Sequence, residues 1–371
     1  MSTADSSTAR VLRACIAKIA TGPEYSKDLS FDEAYSAMRL ILAGGVDPVQ
    51  SGVFLIALRM KRETDAENDG VLRAIADVTA TATADVDDVL DIADPYDGFA
   101  RCLPVSAFLP TVLAACGVPT ISHGLESVAP KFGVTPRQVL RAAGIDVDLD
   151  VVQAAARLNN PRYGWAYVDQ QSFCPALHAL AGLRALIVKR PVISTVENLT
   201  GPVRGRRRTH LITGYVHKAY PPVYARLARA IGFASAAVIR GVEGGVLASL
   251  RQSAKIHVFH EAHEPESREV NPAELNIDYP FRALPLPPDL TDAKKDGERE
   301  SALDTYAAAK VAAQAGLGAL AGESGAARDS LVYGGAIALA HLRRFDTLQA
   351  AADAVRIALD SGAARAKFTS G

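Results

Sequence analysis

The chain has 371 residues, 49% of them hydrophobic, and a formal net charge of -1. That length gives one large domain or two, with enough apolar residues for a real core. The balanced charge excludes a global field for nucleic acid, so any such surface must be a local patch, and no stretch approaches the roughly 20 apolar residues of a membrane span.

Residues 8–84 read as helices. Ser30 with Glu33 three positions on is a capping box, opening a helix to about Ala43, where Gly44-Gly45 stops it. Asp47-Pro48 starts the next, with Val53, Leu55, Ile56 and Leu58 inside, and residues 60–64 close it. Another runs from Ala66 to about Thr81. Helices this short need a partner surface for their apolar stripes, and a dimer contact is the expectation.

From residue 88 the pattern changes. Val89-Leu90-Asp91-Ile92 predicts a strand, 93–100 a loop and about 104–116 a helix. Val118 to Ile121 predicts a second strand, and 136–143 a helix. Helix 221–231 precedes a third strand, Ser235 to Ile239, and Lys255 to Phe259 predicts a fourth. Residues 264–302, with Leu284-Pro285-Leu286-Pro287-Pro288, read as a long surface connection. Helices follow over 302–322, 328–343 and 346–361.

Alternating strands and helices imply a mainly parallel α/β sheet. The expected fold is an α-helical domain, residues 1–84, joined by helices from about 155–195, and an α/β domain, residues 85–371. Ligands in such sheets sit at the carboxyl ends of strands, which singles out loops 93–100 and 122–133. Met1 to Ala9 is polar and no secretory signal follows. Cys15, Cys102, Cys116 and Cys174 show no CxxC pair, so they read as reduced thiols of a cytoplasmic protein.

Loop 123–133 runs from His123-Gly124 to Pro130-Lys131-Phe132-Gly133. With residues 31–75 and 310–366 it resembles the anthranilate phosphoribosyltransferase family. The resemblance implies a helical domain hinged to a nucleoside phosphorylase/phosphoribosyltransferase-like α/β domain, and a homodimer through the helices. It also marks departures. Where the family has Gly-Thr-Gly-Gly-Asp-Gly, glycines that let amides approach a pyrophosphate, this chain has Ala93-Asp94-Pro95-Tyr96-Asp97-Gly98. Pro95 removes a donor. Where the family has Asn-x-Ser-Thr, the equivalents are Leu103, Val105 and Ser106. Lys-His-Gly-Asn-Arg is matched by Ser122-His123-Gly124-Leu125-Glu126, with Lys131 and Gly133 kept. The Asp-Glu pair that recruits magnesium is matched by Val246 and Leu247, with only Glu243 nearby. Cys174-Pro175-Ala176-Leu177 replaces His-Pro-Ala-Met, and Arg184 matches an arginine that grips the anthranilate carboxylate.

The resemblance thus implies phosphate or ligand contacts at Asp97, Gly98, Ser106, His123, Gly124, Lys131 and Arg184. For His123-Gly124 two readings stand: a turn-shaping pair, or an anion-binding remnant with Lys131. For Arg184 they are a ligand contact or a helix-surface arginine.

Lys189, Arg190, Arg204, Arg206, Arg207, Arg208 and Lys218 stand against a single acid, Glu197, in one stretch. Residues 204–208 read as a flexible loop after Gly201-Pro202, followed by Tyr215, Tyr220 and Tyr224, which could stack on bases. The readings are a solvated loop or a polyanion groove with salt-dependent binding. Some family members without the enzyme motifs are nucleic-acid-binding dimers, and Ser172-Phe173-Cys174-Pro175 and Gly241-Val242-Glu243-Gly244 are similar to their signatures. His257, His260 and His263 are spaced by three, but residues three apart on a strand face opposite sides, so no metal site is expected. No Gly-x-Ser-x-Gly elbow is present.

The expectation is an anthranilate phosphoribosyltransferase-like protein with degenerate phosphoribosyl pyrophosphate and magnesium motifs, acting as a nucleic-acid or polyanion-binding homodimer. The alternative is an active phosphoribosyltransferase, for which alone magnesium is a cofactor. A scaffold role is the third reading.

Overall fold

The structure is a computed structural model that describes residues 3–22, 24–261, 263–290 and 303–369. Four helices open it: α1 (Thr3–Ile19), α2 (Phe31–Leu42), α3 (Pro48–Lys61) and α4 (Asp65–Ala76). Their starts are set locally. Ser30 and Glu33 form the expected capping box on α2, and Asp47 accepts from the Val49 and Gln50 amides at α3. Thr64 and Glu67 form another capping box on α4. Glu67 is fully buried, yet it also accepts from Leu29 N at 2.8 Å and pairs with Lys61 at 2.8 Å. Its charge is thereby partnered, as a buried carboxylate requires.

Seven strands form the large sheet: β2 (Asp88–Ala93), β3 (Thr120–Gly124), β4 (Trp165–Asp169), β6 (Arg208–Gly214), β7 (Ser235–Ile239), β8 (Ala254–His260) and β9 (Glu266–Val270). Their order is β4-β3-β2-β6-β7-β8-β9. The strands from β4 to β7 run parallel, and β8 and β9 add antiparallel edges. Two short strands, β1 (Ala82–Thr83) and β5 (Val203–Arg204), pair in parallel outside it.

The chain winds outward through β2, β3 and β4, then returns to β6 on the other side of β2. That reversal is a topological switch point, where the loops leaving β2 and β6 diverge and open a crevice.

Alternate residues of each strand enter different cores. Leu90, Ile92 and Ile212 pack under α5 (Leu109–Ala115), α6 (Pro136–Ala142), α13 (Thr305–Leu320), α14 (Ala326–His341), α15 (Leu348–Asp360) and α16 (Ala363–Thr369). Val89, Ala93, Ile121 and Leu211 face α7 (Val151–Asn159), α12 (Tyr220–Ala230) and the helical domain. Between these lie the short helices α8 (Gln170–Phe173), α9 (Pro175–His178), α10 (Ala181–Ile187) and α11 (Ile193–Val196). Gly52 of α3 sits against Leu183 of α10.

Several expectations change. Residues 204–208 are not a flexible loop: Val203 and Arg204 pair with Ala82 and Thr83, and Arg208 begins β6, a central strand. The second strand starts at Thr120, so His123 and Gly124 end a strand rather than open a loop. The stretch 155–195 is interrupted by β4. Within 264–290 the chain forms β9, and Leu284 O accepts from Leu103 N at 2.9 Å. Residues 291–302 of the expected connection lie outside the described residues.

Candidate functional site

The loops at the carboxyl ends of β2 and β3 pair backbone to backbone. Phe99 and Val134 exchange both amide hydrogen bonds at 2.9 Å, and Gly133 N donates to Asp97 O at 2.9 Å. A Cβ on Gly98 would meet Gly133 O at 2.5 Å, and one on Gly133 would meet Phe99 N at 2.5 Å. Gly98 also has φ +75°, which disfavours any side chain. Both glycines are therefore required by the contact between the loops, with no ligand needed to explain them.

His123 is not an open anion contact. Its Nε2 lies 2.8 Å from Asp91 Oδ1 and its Nδ1 lies 2.5 Å from the Tyr96 hydroxyl. All three residues are buried. In the tautomer that carries its proton on Nε2, the ring donates to Asp91 and accepts from Tyr96 at Nδ1. Burial holds the Tyr96 hydroxyl well above its usual pKa, so it stays the donor. Both ring nitrogens are used. Gly124 is buried too, with the Tyr167 hydroxyl 3.3 Å from where its Cβ would be.

Asp97 lies between two cations. Its carboxylate is 3.2 Å from Lys131 Nζ and 2.5 Å from Arg190 Nη2. Beside it a cleft of about 110 Å³ opens at the switch point, lined by Arg59 of α3, Tyr96, Arg184, Glu197, Tyr220 and Glu243 among others. Arg184 is not on a helix surface. It is 2% exposed, bonds Glu197 through both terminal nitrogens at 2.6 and 2.8 Å, and reaches Ser194 at 3.2 Å. Glu197 thus occupies the fork that a ligand carboxylate would take. Ser106 is buried apart from this cleft, with its side chain beside the Asp94 carboxyl.

Glu243 follows β7 in a left-handed conformation, φ 55° and ψ 16°. Its carboxylate accepts from Ala100 N at 3.1 Å and Arg101 N at 2.7 Å, and lies 3.4 Å from the Cys102 thiol. Adjacent amides of this kind make an anion-binding concavity, and here an internal carboxylate fills it. Lys131 Nζ stands 4.0 Å away. Burial, then Glu243, pushes the Cys102 thiol well above its usual pKa.

The donors needed for magnesium do not fit. Val246 is buried and apolar, Leu247 is apolar, and Glu243 is committed to amides. The adjacent carboxylate, Asp94, accepts from Val246 N at 2.9 Å, and burial raises its pKa. Among the described residues no group of three His, Cys, Asp or Glu side chains could hold a metal ion. His257 instead lies 2.9 Å from Ser267 Oγ, and His260 stacks on His341.

The seven basic residues do not form one groove. Arg206 pairs with Asp85 at 2.5 Å and Asp87 at 2.9 Å, and Arg208 holds both oxygens of Asp88 at 2.9 Å. Arg207 lies 3.8 Å from Asp87. Arg204 stacks 4.4 Å over Phe233 and donates to the Thr200 and Ile231 carbonyls, and burial lowers its pKa. These sit at the amino end of β6, whereas exposed Lys189 and Lys218 belong to the carboxyl end. Tyr215 is buried against His257, and Tyr220 lies under Arg59.

Sequence reasoning missed a different cationic group. Arg101, Arg240 and Arg282 line a cleft of about 490 Å³ with Tyr215, Gln252 and Ser253, on the other side of Glu243. All three arginines are exposed, and no carboxylate pairs with them among the described residues. They stand far apart in sequence, so no charge run signals them.

A helical bundle set against a parallel α/β domain, with its loops converging at the switch point, defines a two-domain transferase architecture. Residues 13–78 match the model for the glycosyl transferase family, helical bundle domain, and residues 98–280 match the a/b domain of that family. The chain belongs to this glycosyl transferase family, the one that includes the anthranilate phosphoribosyltransferases. It is 28% identical to the anthranilate phosphoribosyltransferase of Anaeromyxobacter sp. (strain K), over 96% of this chain and 97% of that one. It is 30% identical to an uncharacterized protein of Aquifex aeolicus, over 59% of this chain and 65% of that one. Its fold matches anthranilate phosphoribosyltransferase from Thermus thermophilus, with TM-score 0.69, 19% identity and 97% of both chains covered. It also matches the Saccharomyces cerevisiae enzyme in complex with PRPP and Mg, with TM-score 0.71, 14% identity, and 97% of this chain and 96% of that one covered.

Proposed function

We propose that this protein is a family member that has given up phosphoribosyl transfer and binds nucleic acid or another polyanion as a homodimer. The observation that carries this reading is the surroundings of Glu243. Its carboxylate occupies the Ala100 and Arg101 amides, and Arg101, Arg240 and Arg282 stand unpaired around the open cleft beside it. Transfer from phosphoribosyl pyrophosphate needs charge stabilisation of a leaving pyrophosphate. The positions matched to those anchors carry Pro95, Tyr96, Leu103, Val105, Val246 and Leu247. Three free guanidinium groups suit phosphates and need no sequence readout.

The dimer is assigned to the helical domain. Val49, Val53 and Met60 are exposed along one face of α3, next to exposed Leu186 and Val188 from α10 and its end. Contiguous apolar surface of this kind marks an interface, and a Val49→Asp chain that sediments like the wild type would remove the assignment. Among the described residues no helix is long and apolar enough to cross a membrane. The four cysteines are unpaired, and a cytoplasmic location is part of this proposal.

Anisotropy of a labelled single-stranded oligonucleotide over a salt series tests the reading. Binding weakens steeply with salt, and Arg101→Gln/Arg240→Gln/Arg282→Gln lowers the log–log salt slope by about 2. Neutralising Arg206 and Arg208, already paired to aspartates, changes it far less. Affinity insensitive to the first triple variant contradicts the proposal.

The second reading is a retained transferase, favoured by the near full-length match to a protein named anthranilate phosphoribosyltransferase. Product formation from phosphoribosyl pyrophosphate and anthranilate would establish it.

A further inference from the structure

At the amino ends of β2, β6 and β7, opposite the candidate loops, lies a pocket of about 340 Å³. Four of the chain's 8 histidines line it: His210, His260, His263 and His341. Three of them are connected. His210 Nδ1 lies 2.7 Å from Ser235 Oγ, and Ser235 Oγ lies 2.9 Å from His341 Nε2. His260 stacks on His341 with centroids 4.8 Å apart. Ser235 is 1% and His341 6% exposed, and His341 Nδ1 has no hydrogen-bond partner. A buried ring nitrogen left unpaired is costly and calls for a partner. Arg343 and Arg344 stand exposed at the mouth, without a carboxylate among the described residues.

We propose that this pocket binds a small phosphate-bearing anion between Arg343 and Arg344 and the His210–Ser235–His341 chain, and that the imidazoles take up a proton as it enters. The guanidinium forks match phosphate oxygens. The volume accommodates more than a bare phosphate group, so a phosphorylated metabolite fits. A metal is a poorer occupant, because no group of three donors among the described residues could hold one. This site is independent of the Glu243 cleft and of the polyanion reading.

The proton uptake follows from the charges facing the rings. β6 contributes Arg208, which is paired with Asp88 of β2. The end of β8 contributes Glu261 and His263, β9 contributes Arg268 paired with Glu266, and the turn after α14 contributes Arg343 and Arg344. Burial first, with these cations and the neighbouring rings set against Asp88 and Glu266, lowers three of the rings: His210 falls to about 4, and His260 and His341 also lie below the usual value. An anion offsets the cations and raises these pKa values, so by linkage it binds more tightly as pH falls.

Sulfate is the first probe, because its charge is fixed across the range and any pH dependence belongs to the protein. Phosphate follows. Histidine ring ¹⁵N spectra of the full chain are recorded during each titration at two pH values. The expected result is a shift of the His210, His260 and His341 signals toward imidazolium, with tighter binding at the lower pH. Arg343→Gln/Arg344→Gln lowers the affinity by roughly tenfold or more. These residues are exposed and unpaired, so the variant keeps its melting temperature, and His178 and His217 serve as distant controls. Absence of any histidine shift overturns the site. So does a shift of the same size and affinity in the variant.

Discussion

At Gly133 two loops from different strands touch with no room for a methyl group. A Cβ there would lie 2.5–2.6 Å from three backbone atoms of Phe99, and backbone cannot rotate away as a side chain can. Gly133→Ala is expected to destabilise the fold by about 2–3 kcal/mol. Gly182 in α10 is exposed and has nothing within 4 Å. Gly182→Ala is expected to stabilise by about 0.5–1 kcal/mol, since a helical glycine costs entropy. Chemical denaturation of both variants measures the contrast, and equal effects would refute the packing argument. At this scale the sequence is informative about residue type and poor about partners. The string Lys131–Gly133 is visible, but the contact with Gly98 and Phe99 is not. Asp91 reads as an interruption within Val-Leu-Asp-Ile, and only the structure sets it against His123. Asp85, Asp87 and Asp88 lie about 120 residues from the arginines they neutralise, so the sequence shows the arginine run without its partners.

Elements with local signals are the legible ones. The capping residues Ser30 and Asp47 set helix starts through bonds within three residues, and they do so in the structure; Thr64, read from the sequence only as part of the close of the preceding helix, caps α4 in the same way. Strand β6 has no such signal. Its sequence, Arg-Thr-His-Leu-Ile-Thr-Gly, holds two adjacent apolar residues, because Arg208 and His210 line the histidine pocket and Thr209 accepts from the Gly205 amide. β9 is an edge strand with four exposed residues of five, so alternation is absent. Helix packing gives a prediction at this scale. Gly316 brings α13 onto Phe108, whose ring would lie 2.0 Å from a Cβ at that position. Gly316→Ala is expected to cost about 1–3 kcal/mol, and Phe108→Leu in the same chain should recover part of it. A double-mutant cycle by denaturation reads the coupling, and strict additivity would contradict the contact.

Across the whole molecule, one sheet separates two cores, and its two ends carry different chemistry. The carboxyl end gathers Asp97, Lys131, Arg190 and Glu243 around the switch point, as the α/β pattern implies. The amino end carries the histidine pocket, which no motif announces because its members come from six separate segments. Fold class is legible because strand–helix alternation survives substitution in the loops. The site is legible in location but not in wiring. Ion pairs between Arg184 and Glu197, and between Asp97 and its two cations, depend on the fold and not on sequence spacing. The proposal that the substrate position is filled by the protein's own groups belongs to this scale as well.

Calorimetric titration with phosphoribosyl pyrophosphate, with and without magnesium, addresses that proposal most directly. With Glu243 on the Ala100 and Arg101 amides and apolar side chains at 246 and 247, the expected result is no magnesium-dependent binding, and no product when anthranilate is added. Tight magnesium-dependent binding, followed by phosphoribosyl transfer to anthranilate, would contradict the account and make the chain a working transferase.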